Sequence, residues 1–183
     1  MPDIEEIYEP REDSFMLAEA IDSYAFGNVL DIGTGSGILA EHAADNPKVN
    51  SIIGIDINPK AIEYCLQNIR HKKIKFFHSN LFSDIKGKFD FIVFNSPYLP
   101  SGKDKVKDKA LIGGKKGFEI LEKFFKDAGK HLNPKGKILI IFSSLTGREK
   151  VDSMIKKHKF NSKLHEKKHI FFEDLYLYLV EKG

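Results

Sequence analysis

Residues 28–44, NVLDIGTGSGILAEHAA, form the stretch of sequence that decides the fold. Residues 28–32 have the apolar character of a buried strand, and residues 38–44 have the spacing of a short helix. The glycine-rich turn between them, DIGTGSG at residues 31–37, allows a tight turn of the backbone and lets a ligand approach main-chain N–H groups. This stretch therefore predicts a strand, a ligand-binding loop and a helix in succession.

The glycines of this loop, Gly33, Gly35 and Gly37, follow the pattern G-x-G-x-G. The dinucleotide fingerprint G-x-G-x-x-G would place its third glycine at position 38, where the chain has isoleucine, and no Walker A sequence follows. Asp56 ends the next apolar segment, 23 residues after Gly33, where a carboxylate suits the hydroxyls of a ribose. We therefore expect a nucleoside ligand other than NAD or FAD. The alternatives are a plain tight turn and, for Asp56, a carboxylate that serves the dipole of the following helix.

Segments of strand and helix alternate along the rest of the chain. Alternation of this kind predicts right-handed crossovers and a mainly parallel sheet. Without a helix between them, the last two strands are expected to form an antiparallel hairpin joined around residues 173–174. We also expect Asp13 to cap the first helix and Phe15 to lie on its buried face. Further strands are predicted at residues 51–57, 74–78, 89–94 and 137–142 and in two segments from residue 160. Helices are predicted at residues 14–25, 59–69, 118–132 and 148–157, the second of them capped by Asn58 with Pro59 at its first position.

Composition limits the class of protein. The chain has 183 residues, 42% of them hydrophobic and 30% charged, which is typical of one globular domain over residues 1–183. The 29 basic and 26 acidic residues leave a net charge of +3, which disfavours coating of nucleic acid over the whole surface. One cysteine, Cys65, excludes an internal disulfide framework and a cysteine-rich zinc site. Without a long apolar run or a signal peptide, the protein is expected to be cytoplasmic, with no membrane span.

The most specific chemical signal is FDFIVFNSPYLP at residues 89–100. Asn95, Ser96, Pro97 and Tyr98 come at the carboxyl end of a predicted strand, where open α/β sheets bind their ligands. The asparagine carbonyl and a neighbouring backbone carbonyl can accept both hydrogens of an –NH2 group, and Tyr98 offers a flat face to a planar amide or base. Two such acceptors stabilise the positive charge that develops as the nitrogen attacks. The alternative is an ordinary strand-end turn.

DIGTGSG, GIDINP and NSPY in this order resemble the class I S-adenosylmethionine (AdoMet) methyltransferases that modify planar amino groups, whose tetrapeptide is Asn-Pro-Pro-Tyr. Residues 7–15, IYEPREDSF, and residues 113–117, GGKKG, are similar to the archaeal and eukaryotic branch of the HemK/PrmC-like enzymes. Those enzymes methylate, at N5, the glutamine of the Gly-Gly-Gln motif in class I translation release factors. The resemblance implies an α/β Rossmann-like fold with helices on both faces of a seven-stranded, mostly parallel sheet. Its implied strand order is 3-2-1-4-5-7-6, with the last strand antiparallel.

The resemblance also implies a role for each residue of a candidate site. Asn95 is catalytic, together with Ser96, Pro97 and Tyr98 of the tetrapeptide, and no metal is implied. The residues implied in binding the AdoMet cofactor are Ser14, Asp31, Gly33, Gly35 and Gly37 at the methionine arm and its loop, Asp56 at the ribose, and Asn80 and Leu81 at the adenine.

Two residues depart from the family pattern. Ser96 replaces the first proline of the tetrapeptide, but its backbone carbonyl remains, so we expect activity to persist with a looser loop. Asn80 replaces the usual aspartate beside the adenine, so an acceptor oxygen remains while the charge is lost. For Asn80 and Leu81, the alternative is an ordinary strand-end turn.

Three further patterns concern partners. In the implied strand order the third strand is an edge, and the apolar run from Ile74 to Phe77 invites pairing with another chain. The resembling branch works with a small zinc-binding activator subunit along this side, although a local helix or loop could instead cover the phenylalanines. Six lysines between residues 103 and 116 predict either a basic lip over the site or a solvated loop. HEKKH at residues 165–169 matches a zinc-protease pattern, but in a strand residues four apart lie about 13 Å from each other and cannot share one metal ion.

Three functions are therefore compared. The main hypothesis is AdoMet-dependent N5-methylation of a glutamine in a class I release factor, which is the protein substrate. The alternative is an adenine-N6 methyltransferase that acts on RNA or DNA, in which the lysines would contact phosphates. The third is a binding module that uses the fold without chemistry, which the presence of Gly33, Asp56 and Asn95 disfavours.

Overall fold

A seven-stranded sheet organises the chain in the computed structural model, which describes residues 7–97, 99–100, 112–114 and 118–183. The strands are β1 (Gly27–Ile32), β2 (Val49–Asp56), β3 (Ile74–His78), β4 (Phe89–Asn95), β5 (Leu132–Ser143), β6 (Phe160–Ile170) and β7 (Glu173–Lys182). They stand in the order β3-β2-β1-β4-β5-β7-β6, which confirms the predicted order. The first five strands run parallel, and β7 runs antiparallel to both of its neighbours.

Helices cover both faces of this sheet. The described residues form α1 (Glu12–Tyr24), α2 (Ile38–Asp45), α3 (Pro59–Asn68), α4 (Glu119–His131) and α5 (Arg148–Lys157), with a 3-10 turn at Ser144–Thr146. A short parallel pairing joins Leu99–Pro100 to Ile112–Gly114. In the part of the chain that the structure describes, no helix is both long enough and apolar enough to cross a membrane.

Each central strand sends alternate side chains into two hydrophobic cores. In β4, Phe91 and Val93 pack with residues of α1, α2 and α3, whereas Ile92 and Phe94 pack with residues of α4 and α5. All four side chains are almost completely buried, because helices lie on both sides of the strand. This two-sided burial explains why the segment is a continuous apolar run instead of an alternating one. Burying a side chain of this size stabilises the fold by roughly 1.5–3 kcal/mol.

Helix α1 begins earlier than the sequence predicts. It starts at Glu12, without a hydrogen bond from a side-chain cap. Asp13 therefore lies inside the first turn, where it is buried, and the predicted cap is wrong. Phe15 is 51% exposed instead of buried, because Leu17 and Ile21 define the face of the helix that packs on the sheet.

Helix α3, in contrast, begins as predicted. The side-chain oxygen of Asn58 accepts a hydrogen bond from the backbone N–H of Lys60 at 3.0 Å, and Pro59 occupies the first helical position. An asparagine cap satisfies a backbone donor that has no partner within the helix, and proline has no N–H to satisfy. The start of α3 is thus determined locally.

The terminal hairpin turns two residues earlier than predicted. Ile170 of β6 pairs with Glu173 of β7, so the loop consists of Phe171 and Phe172. The predicted turn at residues 173–174 is wrong because both of those residues already take part in the strand ladder.

Gly54 of β2 allows two neighbouring segments to approach this strand closely. A Cβ at this position would lie 2.7 Å from the ring of Phe76 in β3 and 2.9 Å from Oγ1 of Thr34 in the glycine-rich loop. Such separations are much shorter than ordinary contacts between heavy atoms, so any larger residue would displace the ring or the loop. Packing therefore requires glycine here.

We expect Gly54→Ala to lower the free energy of unfolding by roughly 1–3 kcal/mol, because the added methyl group overpacks a filled core. Gly129→Ala in α4 is the matched control. Of the described residues, its Cβ would meet only Phe160, at 3.7 Å, and alanine is favoured over glycine by about 1 kcal/mol inside a helix. Urea titration followed by circular dichroism measures both variants. Equal stability of the two would contradict the packing role of Gly54.

Candidate active site

Residues from distant parts of the sequence meet at one rim of the sheet. Ile32 at the end of β1 pairs with Ile55 of β2 on one side and with Phe94 of β4 on the other. The residues that follow in the three strands, Gly33, Asp56 and Asn95, therefore stand at the same level of the rim. Loops at the carboxyl ends of parallel strands are the usual place for a ligand in such a sheet. The structure thus brings together the three positions that the sequence singled out.

The three glycines of the loop serve different purposes. Gly33, Gly35 and Gly37 have φ angles of +69°, +54° and +83°, in the left-handed region that disfavours other residues. A Cβ at Gly37 would lie 2.3 Å from Cδ1 of Ile69, so packing excludes a side chain there. Among the residues that the structure describes, a Cβ at Gly33 would meet only a ring carbon of Phe94, at 3.9 Å. Gly33 therefore borders open space at the rim, where a ligand has room.

Asp56 joins the glycine loop to the start of α3. Its Oδ2 accepts a hydrogen bond from the N–H of Gly35 at 2.9 Å, and its Oδ1 accepts one from the N–H of Asn58 at 2.8 Å. Burial raises the pKa of this carboxyl, while the backbone N–H groups of Asn58 and Gly35 partly lower it. A carboxylate has about four acceptor positions, and the described residues make hydrogen bonds at two of them, so acceptor capacity remains for donors such as a pair of hydroxyls. The cap of α3 is Asn58 itself, so Asp56 is not needed as the cap.

Asp31 is a completely buried carboxyl beneath the same loop. Its Oδ2 accepts a hydrogen bond from Oγ1 of Thr34 at 2.6 Å, whereas Oδ1 has no hydrogen-bond partner among the described residues. The pKa of Asp31 is raised to about 7, chiefly by burial. The Thr34 hydroxyl lowers this pKa, and the charge of Asp56 raises it. The backbone N–H of Ala40 also lowers it slightly, although it does not meet the geometry of a hydrogen bond. The unpartnered oxygen is an acceptor that a cationic ligand group could satisfy. Thr34 was missed by the sequence analysis, although a hydroxyl three residues after an acid was the available signal.

Asn95 reaches across the rim to α1. Its Nδ2 donates a hydrogen bond to Oγ of Ser14 at 3.4 Å, although the two residues are 81 positions apart in the chain. Because the side-chain nitrogen is engaged in this way, the carbonyl oxygen on the other side of the amide stays available as an acceptor. The structure therefore places the predicted acceptor-binding residue in contact with a predicted AdoMet residue.

Ser96 is tied to the neighbouring strand. Its side chain is buried, and its Oγ donates a hydrogen bond to the backbone carbonyl of Ile141 in β5 at 2.7 Å. A looser loop was expected where serine replaces the family proline, but at Ser96 itself the hydroxyl supplies a tether. Pro97 is half-buried next to it. Tyr98 lies outside the described residues, as do the lysines between residues 103 and 116.

Ser14 is itself held in place by Asp13 in the first turn of α1 and, through Asp13, by Tyr8 before the helix. Asp13 Oδ1 accepts hydrogen bonds from the N–H of Ser14 at 2.6 Å and from its Oγ at 3.2 Å. Asp13 Oδ2 accepts one from the hydroxyl of Tyr8 at 2.6 Å. From the sequence, Asp13 was expected to act as a helix cap and Tyr8 was assigned no role, because nothing in the local pattern shows that this pair holds Ser14.

The segment after β3 completes the rim beside Asp56. Ser79 is buried; its N–H donates to the backbone carbonyl of Asp56 at 3.0 Å, and its Oγ donates to the carbonyl of Leu81 at 2.9 Å. Leu81 has a φ angle of +50°, and the exposed Asn80 accepts hydrogen bonds at its backbone carbonyl from Ser83. The structure thus brings Asn80 and Leu81 next to Asp56, and the organising residue, Ser79, was missed from the sequence.

Two patterns that the sequence analysis set aside have other partners. His165 and His169 lie in a strand, β6, as predicted. His165 is hydrogen-bonded to the hydroxyl of Tyr24 at 3.1 Å, and His169 is hydrogen-bonded to the carboxylate of Asp174 at 2.9 Å. Cys65 is buried, and its Sγ donates to the carbonyl of Gly35 at 3.3 Å. Burial and the charges of nearby acids raise the pKa of Cys65 to about 12. This thiol is therefore part of the packing below the loop.

The groups along this rim fit the implied AdoMet. The unpartnered oxygen of Asp31 is placed for a positively charged amino group, and the open space at Gly33 leaves room for the chain that carries it. The remaining acceptor positions of Asp56 suit the two hydroxyls of a ribose. All three observations concern the same edge of β1 and β2.

Comparison with known proteins gives the relatives of the chain. Residues 12–171 match the methyltransferase small domain family. A relative from Methanocaldococcus jannaschii, provisionally named a protein N5-glutamine methyltransferase, is 36% identical over 176 residues, which cover 93% of this chain and 89% of the relative. The mouse methyltransferase HEMK2 is 30% identical over 158 residues, which cover 74% of this chain and 71% of HEMK2.

A solved structure with the same fold comes from E. cuniculi. It is a chain of the Mtq2–Trm112 complex, which is described as responsible for methylation of the translation termination factor eRF1. The TM-score is 0.78 at 23% sequence identity, and the superposition covers 97% of this chain and 99% of that chain. At this identity the similarity shows the fold.

We expect Asp31 to make the stability of the ligand-free protein depend on pH. Its pKa is raised from the ordinary 3.8 to about 7 in the folded state, so the folded state binds this proton more tightly than the unfolded state. The resulting stabilisation is complete below about pH 4 and is lost as the pH rises through about 7, which amounts to roughly 4 kcal/mol.

Asp31→Asn keeps an acceptor for Thr34 and has no proton to lose. Its free energy of unfolding should therefore change much less than that of the wild type between about pH 5 and 8, as measured by urea titration at a series of pH values. Parallel curves for the two proteins would show that Asp31 is not the titrating group.

Proposed function

This chain belongs to the methyltransferase small domain family and is an AdoMet-dependent methyltransferase of the HemK-like group, and on that premise we propose that it methylates N5 of a glutamine in a class I release factor. The glutamine is that of the Gly-Gly-Gln motif. The observation that carries the proposal is the contact between Asn95 and Ser14, because it joins an amide-binding motif to the AdoMet side of the rim.

AdoMet supplies a methyl group bound to a positively charged sulfur. On the donor side, we assign Asp31 and Ser14 to the methionine arm, Gly33 to the space beside it, and Asp56 to the ribose. The carboxyl of Asp31 is buried and that of Asp56 is half-buried, so their negative charges favour binding of a cationic ligand over a neutral one. Asn80 and Leu81 are assigned to the adenine, next to Asp56.

On the acceptor side, we assign two oxygen acceptors to the substrate –NH2 group. One is Oδ1 of Asn95, because Ser14 engages the nitrogen of the same amide and thereby fixes its orientation. The other is the backbone carbonyl of Ser96, whose side chain is tied to Ile141. A planar amide nitrogen is a weak nucleophile, and as it attacks it becomes positive. Two fixed acceptors stabilise that charge, by a mechanism that requires no general base of tuned pKa.

One edge of the sheet offers a surface on which an activator subunit can dock. Strand β3 is the first strand of the sheet, and it exposes Phe77 by 47% while Phe76 is buried in the core. Beside this edge lies an open groove of about 630 Å³ that Ile53, Lys73 and Lys75 help to line. We propose that a small zinc-binding subunit pairs with this edge, as the family resemblance implies. We also propose that the enzyme works in the cytoplasm. An apolar, unpaired edge strand is a template for strand addition.

The proposed reaction is tested with radiolabelled AdoMet. The chain is incubated with a class I release factor of the archaeal and eukaryotic type or with total RNA, each with and without the small zinc-binding subunit. Label in the release factor, lost when its Gly-Gly-Gln glutamine is replaced, supports the proposal. Label in RNA alone, with steep dependence on salt, would favour the adenine-N6 alternative.

We expect Asn95→Ala and Asp56→Ala to separate catalysis from AdoMet binding. Asn95→Ala removes an acceptor used in the transition state, so kcat should fall by roughly 100-fold or more, while AdoMet binding measured by calorimetry stays nearly unchanged. Asp56→Ala removes charge-assisted hydrogen bonds, so AdoMet binding should weaken by roughly 10- to 100-fold. Loss of AdoMet binding in Asn95→Ala would show that this residue has been assigned to the wrong role.

A further inference from the structure

Two phenylalanines at the tip of the β6–β7 hairpin are almost fully exposed. Phe171 is 89% exposed and Phe172 is 98% exposed. Both leave more of the ring in solvent than the other exposed apolar side chains, such as Ile57 at 62%. Contiguous apolar surface of this kind is typical of an interaction site, whereas single exposed residues are ordinary.

The conformation of the turn gives no local reason for these residues. Phe171 and Phe172 are the whole of a two-residue loop between Ile170 and Glu173, and Phe171 has a φ angle of +42°. Two-residue hairpin loops favour glycine or asparagine at positions of positive φ, because a Cβ is strained there. The chain therefore carries a large aromatic residue where turn geometry disfavours one, so the turn itself gives no stabilising reason for this residue.

The base of the hairpin is anchored, so the two rings are presented on a fixed support. The N–H of Asp174 donates to Oγ of Ser144 at 3.1 Å, and the hydroxyl of Ser143 bonds to the carboxylate of Glu173. The carboxylate of Asp174 also binds Nζ of Lys167 at 2.9 Å. The first two contacts tie the start of β7 to the end of β5 and the turn that follows it, and the third ties β6 to β7.

The register of the strands places the tip beside the candidate active site. Asn95 of β4 pairs with Ile141 of β5, which pairs with Leu177 of β7. Phe172 lies five residues before Leu177 in the chain, and because β7 is antiparallel to β5, those five residues extend towards the rim that holds Asn95. That is about 17 Å along the strand and about 10 Å across two strand spacings, or roughly 20 Å in all. A single glutamine side chain cannot span this distance, but the protein that carries it can.

We propose that Phe171 and Phe172 dock into an apolar cleft on the acceptor protein, in the domain that carries the methylated glutamine. The proposal rests on the proposed function, and it identifies a recognition surface outside the pocket that holds the glutamine. The acceptor must stand over this rim during every turnover, so the hairpin tip lies in its path.

The test compares a polar and an apolar replacement of both rings. Phe171→Ser with Phe172→Ser should raise KM for the full-length release factor by roughly 10- to 100-fold, as expected for two aromatic anchors of an interface. In this variant kcat, AdoMet binding and methylation of a short Gly-Gly-Gln peptide should stay within about twofold of the wild type, because the hairpin is remote from the pocket. Phe171→Leu with Phe172→Leu keeps the apolar surface and should restore most of the affinity.

The outcomes distinguish this proposal from the function on which it rests. If the wild type labels no release factor, with or without the activator subunit, the proposed function fails and the docking proposal fails with it. If the wild type labels the factor and the serine variant has the same KM, the docking proposal alone is overturned. A serine variant that changes oligomeric state in light scattering, or loses the activator subunit in co-purification, would show that the hairpin serves a different partner and would also overturn it.

Discussion

The Asp56 carboxylate is the contact on which the arrangement of the rim depends. One of its oxygens binds the N–H of Gly35 and the other binds the N–H of Asn58, so a single side chain joins the glycine loop to the start of α3. Hydrogen bonds to an ionised group are stronger than neutral ones, and burial strengthens them further. The direction of the loop, and with it the open space at Gly33, follows from this contact. The same carboxylate is then ready to receive a ligand, because its own fold does not use all of its acceptor positions.

The rim is divided into a charged side and a neutral side. The buried Asp31 and the half-buried Asp56 lie below and beside the glycine loop, and desolvation raises the pKa of each carboxyl because it disfavours the charged form. A positive ligand group would offset this cost. Across the rim, Asn95 and Ser96 offer neutral oxygen acceptors. This division suits a reaction in which a cationic donor meets an uncharged amide. Ser14 connects the two sides, since it contacts Asn95 from the helix that packs beside the loop.

Much of this arrangement could be read from local patterns. The glycine loop, the acid at the end of β2 and the NSPY segment each depend on residues that are close in sequence, and the alternation of strands and helices then limits the topology. The start of α3 at Asn58 was predictable for the same reason. The first turn of α1 was not, because Asp13 is buried inside that turn and accepts a hydrogen bond from Tyr8, a contact that no capping rule includes. The family resemblance supplied the strand order, which the residues alone left open.

The sequence by itself determined which residue types stand at the ends of β1, β2 and β4. Local backbone geometry requires the glycine there, and ligand chemistry favours the acid and the amide. Only the tertiary structure decided how they meet: Ser14 against Asn95 across 81 residues, Ser96 against Ile141, and an aromatic hairpin tip raised above the same rim. The physical reason is that hydrogen bonds between distant segments depend on strand register and on helix packing. Register is set by the burial of whole strands in two cores, and no short segment of sequence contains that information.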